Sequence, residues 1–280
     1  MIGPTIVDAH HHLWDPTRRE YPWLAGDTLA PICRSYTMND LRAVVGPEVT
    51  ATILVQTVSS ISETEEFLAT AAASDGLIAG VVGWLDLAAP DLDRLRTAPG
   101  GHLLAGIRHQ VEDEPDPEWL LRKEVLAGLR AVGAAGLVYD LLVRAPQRPA
   151  ALAAARQLPE VSFVLDHAGK PGIADGEWEG WAPWIADLAT LPNVTCKLSG
   201  LITEAHWTSW SPDDIRPYAE HILDNFGPDR VLFGSDWPVC ELAGSYADVL
   251  TLTNNLLRDL SDAERTQVMS TNAQRIYLHP

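Results

Sequence analysis

The sequence predicts an α/β fold, a single (β/α)8 TIM barrel formed by residues 1–280. Short apolar runs alternate with longer helical patterns along the chain, which favours parallel strands joined by crossover helices. There are eight such runs, the number of strands in a closed α/β barrel. The most suggestive polar residues lie at the two ends of the sequence, and they become neighbours only if the first strand meets the eighth. These three observations together predict a barrel.

The eight strand-type runs are short and rich in β-branched residues. An open doubly wound sheet is the alternative fold, but no G-x-G-x-x-G motif follows the first run, so its dinucleotide-binding version has no support. The predicted strands are 5–12, 51–57, 79–85, 103–109, 136–143, 162–168, 194–199 and 231–235.

Several helices have recognisable starts. Ser60 with Glu63 and Ser261 with Glu264 fit the capping box, and Asp116-Pro117 and Ser211-Pro212 each place a cap before a first-turn proline. We expect the segment at about 15–31 to be a loop over the barrel mouth and the segment at about 261–277 to be a C-terminal helix. No repeat or linker separates a second domain.

Composition excludes several functions. The net charge is -18, from 20 Lys and Arg against 38 Asp and Glu, which offers no surface for a phosphate backbone or an anionic lipid. We therefore expect no nucleic-acid and no membrane partner. The three cysteines, Cys33, Cys196 and Cys240, form no C-x-x-C pair and indicate reduced thiols. Without a signal-peptide pattern, the sequence predicts a cytoplasmic protein.

The first strand carries three consecutive histidines. Side chains two apart share one face of a strand, so His10 and His12 point the same way while His11 points away. A pair of imidazoles can hold a metal ion or polarise a carbonyl oxygen. A tag fragment is the alternative, but the triplet lies within a strand pattern that continues into Trp14. Asp8 shares the face of the pair at a deeper position, which indicates a supporting role.

Polar residues also end the later strands, where barrel enzymes place their chemistry. Asp166 has the opposite parity to its neighbour His167 and is expected to face the helices. A structural ion pair is the alternative role for Arg108, and a lysine reaching solvent is the alternative for Lys197. The strand-end residues are Gln56 at the end of the second strand, Arg108 and His109 at the fourth, His167 at the sixth, Lys197 on the seventh and Asp236 at the eighth.

Six short motifs together resemble the amidohydrolase superfamily. The resemblance is to the branch that holds L-fuconolactonases, L-rhamnonolactonases, pyrone-dicarboxylate lactonase and galactarolactone isomerase. The motifs are Asp8-x-His10-x-His12, YPWL at 21–24, GIRH at 106–109, DHAGKP at 166–171, CKLSGL at 196–201 and LFGSDWP at 232–238.

The resemblance implies a lactonase, a hydrolase that opens a sugar-acid lactone such as L-fuconolactone or L-rhamnonolactone to the acid. By the same match, His10, His12 and His167 polarise the lactone carbonyl. Asp236 is then the general base, which takes a proton from water and returns it to the departing alkoxide. The partner is a small-molecule sugar lactone, and nothing in the sequence predicts an oligomeric state.

The chain departs from the metal-dependent members of the superfamily. Those enzymes carry a carboxylated lysine or a glutamate on a middle strand and a histidine on the fifth, whereas the fourth strand here ends in Arg108-His109. We therefore expect at most one divalent ion, zinc, held by His10, His12, His167 and Asp236. The alternative is a metal-independent site in which an imidazole donates directly to the carbonyl oxygen.

Substrate binding is assigned to the remaining polar and aromatic residues near the strand ends. The chain has 10 tryptophans, and those at the mouth can cover the apolar face of a sugar. Three alternatives to a lactonase remain, namely a lactone isomerase, a metal-dependent decarboxylase and a non-catalytic sugar-acid binding protein. The predicted substrate-binding residues are Arg108, His109, Gln56, Lys197, Trp14 and Trp237, with Trp23 and Trp84 as further aromatic candidates.

Overall fold

The computed structural model describes residues 5–278. Eight parallel strands form one sheet, in which each strand pairs with the next in chain order. None of the helices within the described residues is long and apolar enough to cross a bilayer. The strands are β1 (Ile6–His11), β2 (Val49–Val55), β3 (Ile78–Gly83), β4 (Leu104–His109), β5 (Val138–Leu141), β6 (Phe163–Leu165), β7 (Val194–Leu198) and β8 (Val231–Phe233).

Hydrogen bonds between the two ends of the sheet close the barrel. The His12 amide donates to the Trp237 carbonyl oxygen at 2.7 Å, and the Asp236 amide donates to the His10 carbonyl oxygen at 2.8 Å. These bonds join the chain at the end of β1 to the chain that follows β8. The predicted (β/α)8 barrel is confirmed.

Asp8 makes a further connection between the first and last strands. Its Oδ1 atom accepts hydrogen bonds from the backbone amides of Ser235, at 2.8 Å, and His10, at 3.1 Å. The carboxylate is fully buried, so these bonds are made away from water. Asp8 therefore supports the backbone that carries His10.

Helices alternate with the strands on the outside of the barrel. The predicted starts at Ser60, Ser211 and Ser261 are confirmed as caps, whereas a start at Asp116-Pro117 is wrong. The Asp116 carboxylate instead binds Arg122 and accepts from the Glu118 amide, a 3-10 turn follows at Trp119–Leu121, and the next α-helix begins at Lys123. The helices are α1 (Met38–Val44), α2 (Ile61–Ala72), α3 (Leu92–Thr97), α4 (Lys123–Ala134), α5 (Arg148–Gln157), α6 (Ala182–Ala189), α7 (Pro212–Phe226), α8 (Tyr246–Leu256) and α9 (Asp262–Thr266).

The C-terminal segment after α9 continues as π-helical turns at Gln267–Thr271 and Gln274–Leu278. Its Ala273 and Tyr277 join the apolar residues of a second, smaller core cluster made mainly by the strands. The larger core cluster fills the space between the sheet and the helices. The smaller cluster also contains Val7, Ala9, Ile53, Val55, Val82, Ala105, Val138, Val164 and Leu232.

Candidate functional site

A cavity of about 360 Å³ lies at the C-terminal ends of the strands, and we call it the mouth cavity. His12, Arg108, His167 and Asp236 line it. The predicted mouth segment contains two 3-10 turns, Pro22–Leu24 and Asp27–Ile32, and contributes Trp23 and Leu29 to the lining. A volume of this size accommodates a small ligand.

Four side chains from three strand ends converge beside this cavity. The Nε2 atoms of His10 and His12 lie 3.0 Å apart. The Asp236 Oδ1 atom lies 3.8 Å from His10 Nε2, 3.6 Å from His12 Nε2 and 3.9 Å from His167 Nε2. The structure thus brings together the residues that the sequence analysis singled out for chemistry, with His10 buried behind the residues that line the cavity.

The Nε2 atoms of the three imidazoles face the cluster, and the Nδ1 atom of each ring has a polar neighbour of its own. A carbonyl oxygen only accepts hydrogen bonds, so His12 carries its hydrogen on Nδ1 and presents the Nε2 lone pair to the cluster. Histidines that bind metals commonly hold the second nitrogen in this way. The Nδ1 neighbours are the Val55 carbonyl oxygen for His12 at 2.7 Å, Ser199 Oγ for His167 at 2.9 Å and Asp166 Oδ1 for His10 at 3.3 Å.

Burial keeps these imidazoles neutral. It lowers the pKa of His12 to about 3 and that of His167 to about 4, and it holds the pKa of His10 well below its ordinary value. Burial also raises the pKa of Asp236, although His167, Lys170 and Arg108 act against the shift. Metal ligation requires neutral rings, and His12 already presents a lone pair toward the cluster.

The donor set fits a single divalent ion. Imidazole nitrogens and a carboxylate oxygen are preferred zinc ligands, with bonds of about 2.0–2.2 Å, which in a tetrahedron places the donor atoms about 3.3 Å apart. The Nε2 atoms of His10 and His12 lie 3.0 Å apart, and Asp236 Oδ1 lies 3.6 to 3.9 Å from the Nε2 atoms of the three histidines. Donor atoms of His10, His12 and Asp236 lie within 4.8 Å of one another. His10, His12, His167 and Asp236 would hold such an ion.

A second group of possible ligands consists of His10, Asp166 and His167. Its carboxylate is already neutralised, because Asp166 lies 3.0 Å from Arg108 Nη1 and 2.9 Å from Lys197 Nζ. Two buried cations therefore take the place that a second ion would need.

The expectation that Asp166 faces the helices is wrong. The residue alternates with Leu165, which packs in the outer core, and shares the inward direction of Val164. The chain then turns sharply, with φ of 50° at His167 and 54° at Ala168. This left-handed turn ends the strand alternation, so consecutive residues both reach the site.

Gly200 is a site residue that the sequence analysis missed. It follows β7 with φ of 63°, and a Cβ atom there would lie 2.6 Å from His167 Nδ1 and 3.1 Å from Asp236 Oδ2. The close approach of backbone to both side chains requires glycine. The sequence did contain a signal for Gly200, because it is a glycine directly after a predicted strand that ends at the barrel mouth.

Two predicted binding residues act together at the second and fourth strands. Arg108 lines the mouth cavity, and its guanidinium donates to the Gln56 carbonyl oxygen and to Asp166. Gln56 is fully buried and donates from Nε2 to the Arg108 carbonyl oxygen at 3.3 Å. Gln56 therefore positions Arg108.

His109 and Lys197 do not line the mouth cavity. The His109 Nδ1 atom accepts from Trp84 Nε1 at 2.9 Å, its Nε2 lies 2.7 Å from Glu114 Oε1, and its ring stacks on Trp119. Lys197 is fully buried between the carboxylates of Asp140 and Asp166. His109 thus belongs to an aromatic cluster with Trp84 and Trp119, and Lys197 forms ion pairs inside the barrel.

Trp14 and Trp237 are also absent from the cavity lining. Trp14 donates from Nε1 to the Ile32 carbonyl oxygen, and Trp237 donates from Nε1 to Glu241 Oε1. Both rings pack edge-on against Tyr36. The indoles at the cavity are instead those of Trp23 and Trp207.

Five charged residues of the cavity wall were not anticipated, Asp113 among them. We call the four that are joined by ion pairs the wall cluster: Glu112, Arg144, Lys170 and Glu204. Glu112 accepts two bonds from Lys170 Nζ, at 2.8 and 2.7 Å, and lies 3.0 Å from Arg144 Nε. Arg144 also lies 3.5 Å from Glu204. These ion pairs hold the pKa of Glu112 below its ordinary value even though burial opposes the shift.

The barrel and its histidine–aspartate site are typical of hydrolases that bind a metal ion at the mouth of a TIM barrel. The amidohydrolase family matches residues 7–278, and the chain belongs to that family. An L-fucono-1,5-lactonase of Burkholderia multivorans is 37% identical over 100% of this chain and 98% of its own. An L-fucono-1,5-lactonase of Burkholderia ambifaria is 38% identical over 86% of this chain and 83% of its own.

A solved structure shares the whole architecture. The crystal structure of a Burkholderia multivorans amidohydrolase with bound zinc superposes with a TM-score of 0.93. That protein is 37% identical, and the match covers 99% of this chain and 100% of the other. The resemblance that the motifs indicated is confirmed.

Proposed function

We propose that this enzyme hydrolyses a sugar-acid lactone to the open acid, with L-fucono-1,5-lactone as the first candidate substrate. The observation that carries the proposal is the Asp236 carboxylate, buried beside three neutral imidazoles at the floor of the mouth cavity. The two Burkholderia relatives named for this reaction match most of the chain.

The reaction needs a polarised carbonyl and an activated water. A divalent ion held by the four residues supplies Lewis acidity, which polarises a carbonyl oxygen and lowers the pKa of water. Asp236 points Oδ1 at the imidazoles. Its Oδ2 then accepts a proton from the attacking water and returns it to the alkoxide that leaves when the ring opens. A lactone already has a competent leaving group, so no further acid is required.

The wall cluster favours a neutral substrate. Among the described residues that line the mouth cavity, each cationic side chain has a carboxylate partner: Arg108 has Asp166, Lys170 has Glu112, and Arg144 has both glutamates of the cluster. An anionic lactone, such as a pyrone dicarboxylate, needs cations that are free to pair with it. Hydroxyl groups of an aldonolactone can instead donate to Glu112 and Glu204.

The test is a panel of aldonolactones and dicarboxylated lactones followed by proton release, with and without a chelator. The proposal expects turnover of a neutral aldonolactone with one proton released per ring opened. Product NMR separates this outcome from an isomerase, which forms no net acid, and gas release separates it from a decarboxylase. A folded, zinc-loaded protein that turns over no lactone contradicts the proposal.

A further inference from the structure

Residues 167–170, which we call the β6 turn, form a left-handed turn shortly after β6. Four consecutive residues have positive φ: 50° at His167, 54° at Ala168, 69° at Gly169 and 48° at Lys170. Residues with a Cβ atom rarely adopt this conformation, and then mostly as single residues. The two ends of the turn, His167 and Lys170, both line the mouth cavity. A run of such residues persists only where the surrounding structure holds it.

The guanidinium of Arg148 holds the second half of the β6 turn. Its Nη2 atom donates to the Gly169 carbonyl oxygen at 3.1 Å and to the Lys170 carbonyl oxygen at 2.9 Å. Arg148 begins α5, is only 3% exposed, and is itself held by Glu177, whose Oε1 atom lies 2.5 Å from Nη1. Because the guanidinium is a rigid planar fork of donors, it can bind two carbonyl oxygens and a carboxylate at once.

Two indoles from the region of α6 hold the first half of the β6 turn. Trp181 is fully buried and donates from Nε1 to the Ala168 carbonyl oxygen at 2.7 Å. The Trp184 ring lies so close to Gly169 that a Cβ atom there would overlap it. Trp184 Nε1 also donates to the Arg148 carbonyl oxygen at 2.8 Å, which joins the two supports.

We propose that Arg148 is a positioning residue for the reaction. It does not line the mouth cavity, but it holds the β6 turn in the conformation that directs both His167 and Lys170 into the cavity. Without the guanidinium, two consecutive carbonyl oxygens lose their donor, and the turn relaxes toward the negative φ values that side chains prefer. His167 then moves away from Asp236, and Lys170 moves away from Glu112. The effect on the rate rests on the proposed function, whereas the effect on the turn does not.

The test compares Arg148→Met with the wild-type protein in two measurements. Hydrogen exchange of the Lys170 amide, which donates to the His167 carbonyl oxygen, reports opening of the turn and needs neither metal nor substrate. We expect exchange about 10-fold faster, the effect of losing one hydrogen bond from a charged donor. We also expect kcat/KM for a sugar-acid lactone to fall about 10²-fold, since a displacement of about 1 Å at an active site can cost this much.

Arg148→Lys is the conservative variant. A lysine ammonium is a compact charge on a flexible stem and does not reproduce the fork that binds both carbonyl oxygens and Glu177. We expect its exchange rate and its kcat/KM to lie between those of Arg148→Met and the wild type. Where Arg148→Met does not fold, the lysine variant decides: wild-type exchange and a wild-type rate in Arg148→Lys overturn the proposal.

Arg230→Met is the matched control. Arg230 also donates to backbone carbonyl oxygens, among them those of Ala189, Leu191 and Val194, but at the opposite end of the barrel, where β7 begins. We expect this variant to lose thermal stability and to keep the wild-type kcat/KM and the wild-type exchange of the β6 turn.

A folded Arg148→Met enzyme with the wild-type kcat/KM overturns the proposal, even if its turn exchanges faster, because the role of the arginine is then structural only. Equal losses of rate in the two arginine-to-methionine variants overturn it as well. A wild-type protein that turns over no lactone contradicts the proposed function instead, and exchange of the Lys170 amide then decides whether Arg148 holds the turn.

Discussion

The Nε2 atoms of His10 and His12 lie 3.0 Å apart inside the barrel. His12 donates its hydrogen to Val55, so its Nε2 can only accept. Either a hydrogen on His10 Nε2 or a cation must therefore lie between the two rings, since facing lone pairs repel. This pair, together with Asp236 Oδ1, presents three donor atoms that a divalent ion could bind.

Removing one of these rings should weaken metal binding. Four-ligand zinc sites bind with about 10–16 kcal/mol, or about 3 kcal/mol per ligand, so His12→Ala should lower zinc affinity about 100-fold. The exposed His206 provides the control, because His206→Ala should leave the affinity unchanged. Equal affinity in the two variants would place the ion elsewhere.

The pH dependence should follow Asp236. Burial raises the pKa of this carboxyl, and its protonated form cannot take a proton from water. We expect kcat/KM to fall as the pH is lowered through that raised pKa. The pKa values of His12 and His167 are lowered to about 3 and about 4, so both rings stay neutral over this range. A pH–rate profile that is flat down to pH 4 contradicts this assignment.

Glu112→Gln should change substrate preference. The substitution removes the carboxylate that neutralises Lys170, so Lys170 becomes available to an anionic substrate, while Arg144 keeps Glu204 as its partner. We expect the ratio of kcat/KM for a carboxylated lactone to that for a neutral lactone to rise about 10-fold, the effect of one charge-assisted hydrogen bond. Glu160→Gln, at an exposed pair with Arg130, is the control. An unchanged ratio excludes a role for Glu112 in selection.

Trp23→Phe should raise KM. The Trp23 Nε1 atom is buried at the mouth cavity and has no hydrogen-bond partner among the described residues, so it is free to donate to a substrate hydroxyl. Loss of one neutral hydrogen bond corresponds to about a fivefold effect. The exposed Trp178, changed to phenylalanine, should leave KM unaltered. A Trp23→Phe enzyme with wild-type KM shows that this indole binds no substrate.

The barrel and the central cluster follow from local patterns in the sequence. Strand alternation places His10 and His12 on one face, and closure of the sheet brings Asp236 beside them. Alternation fails where the chain leaves the strand, which is why the direction of Asp166 was mistaken. The left-handed turn at His167 and Ala168 has no clear signal in a single sequence.

The roles of the other polar residues depend on distant partners. His109 and Lys197 end the same kinds of strands as Arg108, but Glu114 and Asp140 bind them away from the cavity. The wall cluster comes from loops after β4, β5, β6 and β7, and sequence spacing gives no indication that these loops meet. These ion pairs form only because closure of the barrel brings the loops at the strand ends together.

The most direct test of the account is the rate of proton release from L-fucono-1,5-lactone by Asp236→Asn at saturating zinc. Asparagine keeps the size of the side chain but cannot accept the proton of water. We predict a loss of about 10²- to 10⁴-fold in kcat/KM with unchanged thermal stability. A folded, zinc-loaded Asp236→Asn enzyme that retains the wild-type rate would contradict the account.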